Sequence, residues 1–117
     1  MKRLEIYLHT HRRRWGLTQK ELSYLLGSKS GTRVSRLERQ ERQPSLATAF
    51  ACQVIFGIRP HELFPRLFAE AEEEVMRRAY DLHERLQGDP SKTTRMKLEL
   101  LEDALARAKG RADNPGV

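Results

Sequence analysis

Apolar residues recur along this chain at spacings of three and four, without the alternation of a strand, and Gly or Pro falls where each run stops. The pattern predicts helices throughout. A first helix covers about Leu4 to Arg14, with Leu4, Tyr7, Leu8 and His11 on one face, and ends near Trp15 and Gly16. Thr18 is placed to cap a second helix through Leu26: its hydroxyl can accept a first-turn amide, Glu21 completes a capping box, and Gly27 supplies a left-handed stop. A third helix is expected from a Ser30 cap to about Arg39, with Val34 and Leu37 inward. Beyond the polar link that closes on Pro44, Ser45 caps a fourth helix, Leu46 to Phe56, apolar on most sides and so expected to be the buried centre. Gly57 ends it, and Pro60 opens a short fifth helix through Phe64.

From Pro65 the pattern lengthens. Phe68, Ala71, Val75, Ala79, Leu82 and Leu86 form one stripe that stops at Gln87-Gly88. Asp89 and Pro90 read as the cap and first position of a last helix, in which Leu98, Leu101, Leu105 and Ala108 again recur at three and four. Two long amphipathic helices joined by a short turn predict an antiparallel hairpin. The expected division is a complete small domain over 1–64, a hairpin over 65–110 and a loose tail over 111–117.

Composition narrows the class. With 117 residues, 38% hydrophobic and 32% charged, the chain is too short for two independent cores and too apolar for wholesale disorder. It has no apolar run of membrane-spanning length, and Met1-Lys2-Arg3-Leu4-Glu5 lacks the apolar stretch of a signal peptide, so a cytoplasmic protein is expected. The single cysteine, Cys52, sits in an apolar segment and is read as a core residue of a reduced protein.

Charge is uneven along the chain. Residues 1–64 hold twelve Lys and Arg against five Glu, a net of +7, while the remainder nets −1. A polyanion partner is therefore expected for the first half, although a basic surface also serves solubility. His9, His11, His61 and His83 are too scattered for a metal site, and neither a nucleophile beside a base nor a phosphate-cradling glycine loop is present. No enzyme, cofactor or metal is expected. Glu70, Glu72, Glu73 and Glu74 read as a solvated helix face.

Several fragments in order carry a resemblance: Leu17-Thr18-Gln19-Lys20-Glu21-Leu22, Leu25-Leu26-Gly27, Val34-Ser35-Arg36-Leu37-Glu38-Arg39, Arg42-Gln43-Pro44-Ser45-Leu46, and Ile58-Arg59-Pro60-His61-Glu62-Leu63-Phe64. Over roughly residues 4–64 the chain resembles the Cro and phage-repressor (XRE) family of helix-turn-helix regulators. The resemblance implies an all-α protein: a five-helix lambda-repressor-like DNA-binding domain followed here by a C-terminal helical hairpin. The helix pair would be Thr18 to Leu26 and Ser30 to Arg39, with Ser23 the small residue at their crossing and Gly27 the flexible one.

In such a domain the third helix enters the major groove of double-stranded DNA. Its outer side would offer Gly31, Thr32, Arg33 and Arg36 to bases, the two arginines being suited to bidentate pairing with guanine. For both, a solvated helix face or a phosphate contact is the alternative. Gln19, Lys29, Arg39 and Arg42 are the expected phosphate contacts. Arg12 and Glu38 match a pair that joins the first and third helices in the family.

Two departures stand out. Six residues separate Gly27 from Val34 where the family pattern has five, and Gln40 replaces the usual glycine after the third helix. The hairpin is expected to make a homodimer suited to a palindromic operator, with regulation of transcription, as repressor or activator, as the function. Alternatives are an antitoxin-like protein whose C-terminal helices bind a partner protein while the first half autoregulates its operon, and an adaptor that has lost DNA contact.

Overall fold

The computed structural model describes residues 7–113, and over these the chain forms seven α-helices and no strand. They are α1 (Tyr7–Arg14), α2 (Gln19–Leu25), α3 (Thr32–Glu38), α4 (Leu46–Phe56), α5 (Pro60–Leu63), α6 (Pro65–Arg85) and α7 (Lys92–Asp113). The expected start of the first helix at Leu4, and the end of the tail, lie outside the described residues. Two compact units are present, one ending at Phe68 and the other beginning at Ala69.

The core of the first unit takes at least one side chain from each of its five helices: Leu8, Leu22, Val34, Leu37, Cys52 and Leu63. Leu26, Ile55, Phe56, Ile58 and Phe64 pack around them. Cys52 is wholly buried, and burial pushes its thiol up to about 11, so it behaves as a small apolar residue.

Local chemistry sets the helix ends. The Thr18 hydroxyl accepts the Glu21 amide at 2.9 Å, and the Glu21 carboxylate accepts the Thr18 amide at 2.9 Å, the reciprocal box expected for α2. Ser45 caps α4 by accepting the Thr48 amide at 3.1 Å. The first three helices all end in the same hydrogen-bond pattern. In α2, the Ser28 amide reaches the Ser23 carbonyl at 2.8 Å and the Gly27 amide reaches Tyr24, with Gly27 at φ +90°. Gly16 (φ +75°) does the same for α1, through Leu17 to Arg12, and Gln40 does it for α3, through Glu41 to Arg36, at φ +64°. Gln40 thus adopts the left-handed conformation that glycine would favour.

Three expectations are corrected. The cap of α3 is Gly31, not Ser30, because the extra residue of the turn is absorbed before the helix starts. Helix α4 is not enclosed: it buries Thr48, Ala49 and Cys52, while Leu46, Phe50 and Val54 are 70%, 51% and 84% exposed. Four short neighbours are too few to cover it on every side. At the start of α7, Ser91 caps by accepting the Thr94 amide at 3.1 Å, and Asp89 instead accepts the Ser91 amide and the Thr94 hydroxyl at 3.0 and 2.9 Å.

The second unit is an α6–α7 hairpin that turns at Gly88 (φ +90°). Ala79 and Thr94 are its buried residues, and Leu98, Leu101, Ala104, Leu105 and Ala108 are the half-buried face of α7. On α6 the less exposed face runs through Glu72, Met76, Ala79, His83 and Leu86, so Val75 and Leu82 of the expected stripe stay outside. Polar ties join the two helices on this face: Arg111 Nε donates to Glu72 at 2.7 Å, and His83 Nε2 lies 2.9 Å from a Glu102 oxygen.

Candidate nucleic-acid interface

Among the described residues, helices α2 and α3 form the most extensive helix pairing. Ser23 is fully buried on α2, a place where a larger side chain would hold neighbours apart. Gly31 closes the other end of the pair. A Cβ at Gly31 would stand 3.3 Å from both the Gln19 Cβ and the Lys20 amide nitrogen, so its missing side chain lets the start of α3 approach the start of α2. Expected among the base-reading residues, Gly31 occupies a packing position in the structure.

A buried ionic cluster fixes the pair against α1. Arg12 and Glu38 are 7% and 5% exposed, and Arg12 Nε donates to Glu38 Oε2 at 2.6 Å while Nη2 donates to Oε1 at 3.2 Å. Arg12 Nη1 also donates to the Leu17 carbonyl at 2.7 Å. Gln19 Nε2 donates to Glu38 Oε1 at 3.0 Å, and His9 Nδ1 lies 3.2 Å from the same oxygen. Burial alone would raise the Glu38 carboxyl, but hydrogen bonds from Arg12, Gln19 and His9 outweigh it and hold the group below its ordinary range. The Gln19 side chain, expected on a phosphate, is therefore held within the protein, and its first-turn backbone amide is one of those with no partner inside the helix.

Arg33 is likewise held within the domain. Its Nη1 donates to the Leu26 carbonyl at 3.3 Å and to Ser28 Oγ at 3.2 Å, and its Nη2 donates to Thr48 Oγ1, which also accepts from Ser45 Oγ at 3.1 Å. One guanidinium thus joins the end of α2, the turn and the first turn of α4. The contact to Thr48 was not legible in the sequence, since Thr48 lies fifteen residues away.

The outward side of α3 keeps Thr32 and Arg36, one helical turn apart and both exposed. The Arg36 guanidinium makes no hydrogen bond to another described residue, though its charge helps lower the Glu41 carboxyl. Arg39 is exposed but engaged: Nε and Nη2 donate to Glu41 at 2.9 and 3.1 Å, and Nη1 donates to Ser35 Oγ at 2.5 Å. Lys20, Lys29 and Arg42 are exposed around the pair. The structure therefore brings Thr32 and Arg36 to one outer face, sets exposed cations about it, and turns Gly31, Arg33 and the Gln19 side chain inward.

Residues 11–63 match the helix-turn-helix family model. The domain belongs to the Cro and phage-repressor type of helix-turn-helix. The protein is accordingly a DNA-binding transcriptional regulator with an all-α fold, its helix-turn-helix domain being followed by further helices. Comparison with curated proteins and with solved structures finds no match. The helix-turn-helix match ends at the last residue of α5, so α6 and α7 lie beyond it. Among the described residues, no helix is long and apolar enough to cross a membrane, and no three His, Cys, Asp or Glu side chains gather as metal ligands.

Proposed function

We propose that the protein binds a palindromic operator in double-stranded DNA as a homodimer held by its C-terminal hairpin, and regulates transcription there, in the cytoplasm at the nucleoid. The observation that carries this reading is the outer face of α3, where Thr32 and Arg36 are exposed within the half of the chain that nets +7. Base contact falls to these two residues. Gly31 and Arg33 support them by setting the position of α3, and Lys29, Arg42 and the Gln19 amide meet phosphates.

Selecting bound sequences from random duplex DNA tests the reading directly, because a two-fold symmetric consensus reports both readout and assembly. Arg36→Ala should weaken the cognate complex by ~1–3 kcal/mol more than a random duplex, with no change in thermal midpoint. Equal losses on the two duplexes would reduce Arg36 to a phosphate contact.

Exposed Met96 and Leu100 on α7 favour a second reading, in which the hairpin binds a partner protein in the manner of an antitoxin. Copurification of the full chain with the product of an adjacent small reading frame separates the two.

A further inference from the structure

We propose that two copies of the chain pair through α6 in antiparallel orientation, with Val75 of each copy against Leu82 of the other. The proposal rests on the homodimer reading above and names its surface. Val75 and Leu82 are 54% and 43% exposed, seven residues apart, and stand about a quarter-turn round the helix from the face that meets α7. Exposed Ala71 and half-buried Leu86 extend the same seam at each end. These positions are spaced four, seven and four, and in an antiparallel copy with Val75 over Leu82 the small Ala71 falls over the large Leu86, so the seam fits a second α6.

The charges beside the seam choose the occupant. Glu74, Arg78, Asp81 and Arg85 follow one edge in the order minus, plus, minus, plus. Read in reverse, that order is its own complement. An antiparallel copy with Val75 over Leu82 brings Glu74 beside Arg85, and Arg78 beside Asp81, twice across a two-fold axis. A parallel copy would carry this charged edge to the opposite side of the seam from its counterpart, so none of these pairs could form. In the single chain these groups form the i,i+4 pairs Arg78–Glu74 at 3.3 Å and Arg85–Asp81 at 2.5 Å. Exposed pairs of this kind are weak, so little is lost when the second copy shares them. The residues that join α6 to α7, Glu72 and His83, are not used, so each hairpin stays intact and the dimer is a four-helix bundle.

Chains with one added cysteine test both surface and direction. Native Cys52 is buried and stays out of the reaction. With Val75 over Leu82, two Val75 positions lie about 10 Å apart along the axis, too far for a disulfide, whereas Val75 and Leu82 face each other. Mild oxidation should therefore cross-link a mixture of full-length V75C and L82C chains and leave each chain alone largely uncross-linked. Val75→Arg should raise the dimer dissociation constant roughly a hundredfold by placing a charge in the seam, with the helical circular dichroism kept, while Met96→Arg leaves it unchanged. Efficient cross-linking of V75C to itself would overturn the antiparallel arrangement. A wild-type dimer that no cysteine pair traps, or that Val75→Arg leaves intact, would overturn the α6 surface alone. A wild-type chain that sediments as a monomer at tens of micromolar would overturn the homodimer reading as well.

Discussion

The helix-turn-helix domain and the hairpin are built from the same kind of element and close in opposite ways. In the domain, helices of four to eleven residues each send a side chain to one cluster, and Leu22, Val34, Cys52 and Leu63 lose all contact with solvent. In the hairpin, helices of 21 and 22 residues bury Ala79 and Thr94 and leave Val75, Leu82, Met96 and Leu100 exposed. Length is not what encloses a core. Five short helices meeting at different angles surround a point, whereas two long ones share a line and keep their outer faces. The domain encloses a core of its own even though Leu46, Phe50 and Val54 of α4 stay exposed; the hairpin encloses almost none and has apolar surface left for another chain.

The sharpest way to break this contrast is at the buried ion pair. Arg12→Ala would strand the Glu38 carboxylate at the junction of α1, α2 and α3, and should cost about 3–5 kcal/mol. Its DNA binding would fall through unfolding, so both the thermal midpoint and the affinity should drop, unlike Arg36→Ala, which touches affinity alone. Next is a matched pair of truncations. Leu22→Ala opens a cavity in the closed core and should cost ~2–5 kcal/mol, whereas Leu100→Ala on α7 should stay within about 0.5 kcal/mol. Similar losses in chemical denaturation would show that the hairpin's outer face is covered after all.

Acid should loosen the domain in two stages. Burial, helped by Arg14 and opposed by Glu62, lowers the His11 imidazole below 6.5, and its Nδ1 is buried without a partner. The folded state therefore prefers neutral His11, and the stability this gives is lost as pH falls below 6.5 through the folded value. Glu38 is held below 4.5, so its contribution is present above 4.5 and disappears on further acidification. Urea titrations across the acid range should show both losses. His11→Gln should remove the upper one, and a profile unchanged by that substitution would mean that His11 titrates normally.

What could be read from the sequence, and what could not, follows the range of the interactions. The Thr18–Glu21 box, the Ser45 cap and the glycine stops at Gly16 and Gly27 each depend on groups within a few residues, so residue type and spacing were sufficient. The burial of Val34 and Leu37 followed from periodicity, and the Arg12–Glu38 pair from resemblance. Arg33 looked like a groove residue because helical phase puts it near Thr32 and Arg36; its partners, Leu26 and Thr48, come from other helices. Gly31 looked like part of the reading face because nothing local reveals that α2 passes 3.3 Å from its absent side chain. For α4 and α6 the pattern named apolar residues correctly but not how many neighbours would cover them, since that depends on the number and angle of packed helices.

The smallest effect is expected at Gln40, where a local rule and a distant contact oppose each other. A residue with a Cβ at φ +64° carries roughly 1–2 kcal/mol of strain that glycine avoids. Glycine gives back about 0.4–1 kcal/mol through the freedom it adds to the unfolded chain. Gln40→Gly also removes the hydrogen bond that its Oε1 accepts from Arg66 Nη1 at 2.5 Å, an exposed contact worth less than about 1 kcal/mol. The balance favours glycine by a few tenths of a kcal/mol, roughly, as a slightly raised thermal midpoint. Gln40→Ala separates the terms, because it keeps the strain and loses the contact, and it should lower the midpoint. If Gln40→Gly is less stable than the wild type, the hydrogen bond from Arg66 outweighs the relief of backbone strain.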